Sequence, residues 1–240
     1  YSGMSVFGLY FVYHCMIRAK VAAVRHGEES DAVAREPDSA QLKHYLGVAI
    51  RWIRRPQPIA IGMHGYSGSG KTWLSALLMS ELPAIRVRSD IERKRQLALA
   101  ETASTHSGPG SGAYTTHART EIYEVMMEII GSLIEARFSV LADASFLMHT
   151  HRHMLAALAQ RKGGALVWID ASADNDELIR RLEYRKALRN DASEAGPEVL
   201  QYQYRHADSL TAAELEHTVI VNTEQPIDPG AIIKSIKSVQ

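Results

Sequence analysis

Residues 59–72, Ile-Ala-Ile-Gly-Met-His-Gly-Tyr-Ser-Gly-Ser-Gly-Lys-Thr, constrain what this chain can fold into more than any other stretch. A short apolar run is followed by a glycine-rich turn and then by a segment of helix formers, and Gly65–Thr72 satisfies the pattern G-x-x-x-x-G-K-[ST]. Gly65, Gly68 and Gly70 allow the backbone to bend until successive N–H groups face one concavity, and the helix that follows adds its positive end. Such a cradle predicts a polyphosphate guest, the tail of ATP. Its walls are Gly65, Tyr66, Ser67, Gly68, Ser69 and Gly70, Lys71 reaches the β- and γ-phosphates, and the Thr72 hydroxyl is a ligand for magnesium. A cradle of this kind has to sit where a parallel strand hands over to a helix.

The rest of the chain supplies that context. After Pro56 and Pro58, short apolar runs alternate with longer amphipathic segments, the signature of a parallel sheet with crossover helices. The runs at 59–63, 84–87, 139–142, 166–169 and 218–221 read as five strands. Helices are predicted over 72–80, 119–136, 152–160 and 176–188. The expected fold is an α/β, P-loop NTPase three-layer sandwich, its parallel sheet in the order 2-3-1-4-5 with right-handed crossovers. Residues 102–116, rich in glycine, serine and threonine, read as a loop. Upstream, apolar residues recur at near-helical spacing over 7–25 (Tyr10, Tyr13, Ile17, Val21, Val24) and again over 41–54, predicting an N-terminal helical segment, with 26–40 and its Pro37 read as a connection. The expected division is therefore 1–55 and 56–240.

Nucleotide binding alone does not distinguish a kinase from a motor or a switch, so the acceptor side matters. Asp90 follows the second strand, at the edge where open parallel sheets keep their ligands, with Arg93 one helical turn on. Asp143 ends the third strand at the same edge and is read as orienting magnesium's water shell or holding the acceptor. A base has to touch the attacking hydroxyl, whereas the transferred phosphoryl group needs alignment and charge neutralisation. The same spacing also suits an Asp90 that caps a helix beginning at Ile91 and an Arg93 on a solvated face.

On the phosphate loop and Asp90-x-x-Arg93, the chain resembles the P-loop kinases grouped with polynucleotide 5′-hydroxyl kinases, zeta toxins and chloramphenicol phosphotransferases. The resemblance implies that Asp90 takes the proton of the acceptor hydroxyl and that Arg93 helps to bind acceptor or phosphates, with Lys71 as the third catalytic group. It extends over most of 56–240 and is specific at the loop and thin elsewhere. Arg152 matches an arginine that related kinases keep near the acceptor, with a surface ion pair as the alternative.

Arg181, Arg185 and Arg189 recur every four residues along one predicted helix face. They read either as a lid that closes over the phosphates or as a solvated stripe paired with Glu183; residues 190–197 are the expected hinge. Asn222 and Thr223, after the last strand, are expected near the adenine. His149, His151 and His153 alternate, which turns them to different sides of a helix and argues against a shared metal.

Lysine plus arginine and aspartate plus glutamate both number 27, so no net charge draws the protein to a polyanion. A short polynucleotide remains a candidate through Arg86, Arg88, Arg93 and Arg95, beside small-molecule hydroxyl acceptors. One cysteine, Cys15, fits a reducing cytoplasm. The apolar stretch 4–17 reads as too short to span a bilayer, and its positive charges follow it instead of preceding it, so no membrane partner is expected. A chain opening on Tyr1 reads as a piece of a longer protein. Residues 10–22 resemble helices near the C-terminus of aminoglycoside-phosphotransferase-like domains, which implies an upstream domain of that kind; its His-Gly-Asp loop does not occur here. Besides the kinase, two further functions fit the loop: an ATPase that couples hydrolysis to movement, and a nucleotide-binding regulatory module.

Overall fold

The computed structural model describes residues 1–100, 116–188 and 196–239; the predicted loop over 102–116, apart from Thr116, which starts a helix, and most of the predicted hinge lie outside them. The chain forms two compact units, Tyr1–Gln57 and Pro58–Gln240.

The first unit is a helical hairpin of α1 (Met4–Glu28) and α2 (Ala32–Ile53). Cys15, Ala19 and Ala22 of α1 and Ala49 of α2 are buried. At spacings of four and three, the α1 residues form one stripe of small side chains, which lets the helices approach closely. Trp52 packs on Phe7 and Phe11 with ring centroids 5.4 and 4.7 Å away, and the Arg55 guanidinium lies 3.8 Å over its ring. Two expectations change. The large apolar residues Tyr10, Tyr13, Ile17, Val21 and Val24 are exposed, because the small residues take the packed face. Pro37 lies inside α2, which starts nine residues earlier than the periodicity suggested because the Asp31 carboxylate accepts from Val33 N–H and caps the helix at Ala32. As a single helix of 25 residues, α1 is by length and composition able to cross a membrane, unlike the shorter run read from the sequence. Core helices of soluble proteins and signal sequences meet the same criterion.

The second unit is built on five parallel strands: β1 (Ile59–His64), β2 (Ala84–Arg88), β3 (Ser139–Asp143), β4 (Ala165–Ser172) and β5 (Thr218–Asn222). Their order is β2-β3-β1-β4-β5, as expected. Every strand extends at least one residue beyond its apolar run, since ladder bonds continue past the buried side chains. β1 lies between β3 and β4, and its face formed by Ile61 and Met63 packs with Leu74 and Leu78 of α3 (Lys71–Leu78) and Ile232 and Ile236 of α10 (Pro229–Ser238). Between these lie α4 (Ser89–Gln96), α5 (Thr116–Glu135), α6 (His149–Arg161), α7 (Asn175–Leu188), α8 (Pro197–His206) and α9 (Ala212–Glu216). The parallel ladder brings the carboxyl ends of β1, β2 and β3 to one edge, with His64, Arg88 and Asp143 as their last residues.

Candidate active site

Gly65, Gly68 and Gly70 have φ of +131°, +88° and +84°, conformations that other residues rarely adopt. A Cβ on Gly65 would lie 2.3 Å from the Ala171 carbonyl oxygen, and one on Gly68 would lie 2.7 Å from that of Leu178, so the loop is closed to any side chain there. Gly70 caps α3 without a side-chain bond, which leaves first-turn N–H groups of α3 available to an anion. Lys71 Nζ donates to the Tyr66 carbonyl at 2.6 Å, within the curve of the loop. Burial pushes the ammonium's pKa down to about 8; Asp143 works against that, and Arg185 adds to it. The loop is anchored from outside. Thr223 Oγ1 donates to the Ser69 carbonyl at 2.9 Å, and the Arg181 guanidinium bonds Thr223 at Oγ1 (2.8 Å) and at its carbonyl (3.1 Å). From α8, Gln203 accepts from Ser67 N–H (2.8 Å) and donates to its hydroxyl (2.9 Å), while Tyr204 packs on Tyr66 with centroids 4.7 Å apart.

Asp143 is nearly buried and accepts from the Ser75 hydroxyl (2.9 Å) and from Arg86 (2.5 Å), whose Nη2 also donates to the Thr72 carbonyl (2.8 Å). The carboxylate is thus tied to the first turns of α3, beside the Thr72 backbone. Asp90, in the first turn of α4, takes a bidentate pair from Arg88 at 3.1 and 2.7 Å and accepts from Ile91 N–H at 2.9 Å, so the helix-start role and the site position coexist. Arg93 sits one turn further along α4.

A single cavity of about 520 Å³ brings these groups together: the loop residues Lys71 and Thr72, the carboxylates Asp90 and Asp143, and Arg93 all line it. Its size and mixed lining suit a nucleotide with a small second substrate. Arg181 and Arg185 line it as well, whereas Arg189 lies outside the described residues. Of the two, Arg181 is engaged with Thr223 and with Glu177, whose carboxyl is held at about 2 by the hydrogen bonds of Arg180 and Arg181; the field of Arg185 reaches Lys71. Arg86 and Arg88 line the cavity paired to carboxylates, and Arg95 is not among its lining residues but bonds Glu92.

The family model described as an AAA domain matches residues 61–210, more than half of the chain and all of this site up to α8. The chain belongs to this AAA domain family. Among curated proteins none matches the sequence. The AAA domain is similar in structure to a sugar kinase from Janibacter sp. at 18% identity and a TM-score of 0.55, over 76% of this chain and 94% of that one. It is also similar to a gluconokinase from Sinorhizobium meliloti (19%, 0.51, 77% and 93%) and to Kti12 from Chaetomium thermophilum in complex with ADP-AlF3 (11%, 0.56, 75% and 98%). At such identities the likeness is one of fold.

Sequence reasoning missed several parts of the AAA domain's site. Arg152 is fully buried and bonds Glu214 and the carbonyls of Phe146, Leu147, Asp208 and Ser209, so it shapes the cavity wall from behind instead of meeting an acceptor. Thr223 clamps the loop, a role that its place after β5 did not reveal. Arg119, Tyr123, His151 and Tyr202 line the cavity and were not read as site residues. No residue pattern could have joined them, because they come from α5, α6 and α8.

The residues fit magnesium in a particular way. Among the described residues no group of three or more histidine, cysteine or acidic side chains could hold a metal, so an all-protein cage is not formed. Hydroxyl and carboxylate oxygens at the mouth of a phosphate cradle suit an ion that keeps waters and shares phosphate oxygens.

Proposed function

We propose that this protein is an ATP- and magnesium-dependent kinase that transfers the γ-phosphoryl group to a hydroxyl acceptor. The observation that carries this reading is that Asp90 and Arg93 line the same cavity as Lys71 and Thr72. A hydroxyl acceptor needs a carboxylate within reach of the phosphate cradle to take its proton, and Asp90 supplies one. The Asp90-x-x-Arg93 resemblance to the polynucleotide kinase, zeta toxin and chloramphenicol phosphotransferase group supports the same chemistry.

In this mechanism the loop amides and Lys71 bind and align the triphosphate, and Arg185 adds positive charge beside Lys71. Magnesium, when bound, supplies charge neutralisation on the phosphates; the Thr72 hydroxyl would hold it, and Asp143 would act on its water shell. Asp90 takes the proton of the acceptor hydroxyl as that oxygen bonds to the γ-phosphorus. The bond from phosphorus to the β–γ bridging oxygen breaks, and its electron pair leaves on ADP. Arg88 holds both Asp90 oxygens in place, so an incoming hydroxyl shares the carboxylate with a guanidinium that also fixes its rotamer.

Incubation with labelled ATP, magnesium and a panel of sugars, nucleosides, short oligonucleotides and antibiotics tests this. Transfer is expected, and Asp90→Asn should reduce it about a hundredfold, the lower range for loss of a general base, while ATP still binds. Hydrolysis that ignores every acceptor and survives Asp90→Asn would instead point to an ATPase.

A further inference from the structure

Trp73, Tyr123 and Tyr202 carry the large rings of the cavity lining, and two of the three are already covered. Tyr123 stacks on His151 with centroids 3.8 Å apart and meets Phe146 edge-on at 5.1 Å. Tyr202 stacks on His206 at 4.1 Å, and the Arg119 guanidinium lies 5.0 Å over its ring. Trp73 is different. It is 54% exposed, and its indole takes part in no ring contact or hydrogen bond among the described residues. The protein's other two tryptophans are packed: Trp168 is buried, and Trp52 sits against Phe7 and Phe11 in the first unit.

The place of Trp73 follows from α3. Leu74 and Leu78 turn into the core and Ser75 meets Asp143, so at about 100° per residue Trp73 falls on the side away from the sheet. Ala76, one turn further on, lines the cavity and Leu77 does not, so beyond the loop the cavity follows the Trp73 and Ala76 side of the helix. On that side Arg86, from β2, donates to the Thr72 carbonyl, and β2 runs directly into Ser89 and Asp90, which share the lining. The other flank is occupied: a Cβ on Gly70 would lie 3.4 Å from Thr223. The indole therefore belongs with the Asp90 end of the cavity. An indole left in water forgoes the burial of one of the largest apolar surfaces a side chain carries, and a ligand that covers it recovers that free energy. A flat ring recovers the most, because two planes meet over their whole area, whereas an open chain touches along a line.

We infer that Trp73 determines acceptor specificity, and that the acceptor is a hydroxyl compound with a flat ring, aromatic or sugar, laid on the indole while its hydroxyl meets Asp90. The inference rests on the kinase reading and deepens it. Open-chain polyols offer the same hydroxyls without the ring face, so they are poor acceptors at this site.

The test follows the tryptophan fluorescence of the full chain saturated with magnesium and a non-hydrolysable ATP analogue, with calorimetry supplying affinities. The probes are two matched pairs, adenosine against ribitol and glucose against sorbitol. A ring compound is expected to quench the emission and to bind at least about tenfold more tightly than its open-chain partner. Trp73→Leu should abolish the quenching and bring that pair within about twofold, whereas Trp73→Phe, which keeps a ring, should retain most of the preference. Trp73→Gln is a second truncation, and melting temperatures check that each variant folds. Quenching by adenosine identifies an aromatic group as the ring, and quenching by glucose a sugar. Open-chain partners binding as tightly, no quenching by either ring compound, or a preference that survives both truncations would each overturn the inference. So would quenching by the analogue alone, with its affinity lost in Trp73→Leu, since the indole would then serve the adenine. Failure of the analogue to bind the unaltered protein would sink the kinase reading itself, a separate result.

Discussion

Lys71→Ala is expected to lower phosphoryl transfer about 10²–10³-fold, the loss that follows removal of one positioned charge donor, about 2.7–4 kcal/mol of transition-state stabilisation. The fold should survive, because the side chain's hydrogen bonds to the Tyr66 carbonyl and the Ser69 hydroxyl stay within the loop, and burial works against the ammonium. The melting temperature is therefore expected to stay level or rise. Single-turnover kinetics with labelled ATP measure the first effect and thermal denaturation the second. A variant with full activity would remove Lys71 from the mechanism.

The lowered pKa of Lys71, to about 8, also sets a pH dependence. In the unfolded chain the lysine titrates near its ordinary 10.5. Between about 8 and 10.5 the unfolded state thus holds more protons, and this group makes stability rise with pH across that window. Nucleotide binding runs the other way. The phosphates favour the ammonium, so above about pH 8 the free protein has to take up a proton on binding, and ATP affinity should fall by up to about tenfold per pH unit. In Lys71→Arg that inflection should vanish, since a guanidinium stays charged.

Arg152→Ala is expected to destabilise the domain by about 3–5 kcal/mol, the usual consequence of removing one partner from a buried ion pair. Arg152 is 0% exposed and bonds four backbone carbonyls besides Glu214. Its loss leaves those oxygens and a carboxylate facing a void. At the size of this unit the melting temperature should drop by about 10 °C. Arg152→Met fills the space without restoring the bonds and should fall nearly as far; a near-native melting temperature for it would mean that packing alone, not the hydrogen bonds, matters. The pair also has an acid limit. Burial pushes the Glu214 carboxyl up, but Arg152 and the Thr211 bonds outweigh it and hold it below the ordinary value. Its contribution is thus full above the unfolded carboxyl's pKa and is lost as pH falls through the lower, folded one.

Several features that sequence reading overlooked had local signals after all. Pro197 and Pro229 stand in the first turns of α8 and α10, Asp228 caps the latter, and Thr211 with Glu214 forms a capping box for α9. Other features had none. The partners of Arg152 lie up to 62 residues away and that of the Ser69 carbonyl 154 away. The α1 stripe misled for a different reason: periodicity marks apolar residues but not which of two faces gets packed, and here small side chains allowed the closer fit.

By itself the sequence determined the phosphate loop and the parallel α/β sheet around it. Both follow from short-range chemistry: glycines where φ is positive, an apolar strand before them, a helix start after, and runs of matching period along the chain. Tertiary structure alone decided what each charge does. Arg86 and Arg88 are paired to carboxylates, Arg181 secures the loop, Arg152 is buried in the wall, and Arg93 and Arg119 line the cavity. In sequence these arginines are chemically alike. They differ only in the groups that folding brings within a few ångströms, and Coulomb energy and desolvation depend on that distance and on burial, not on position along the chain.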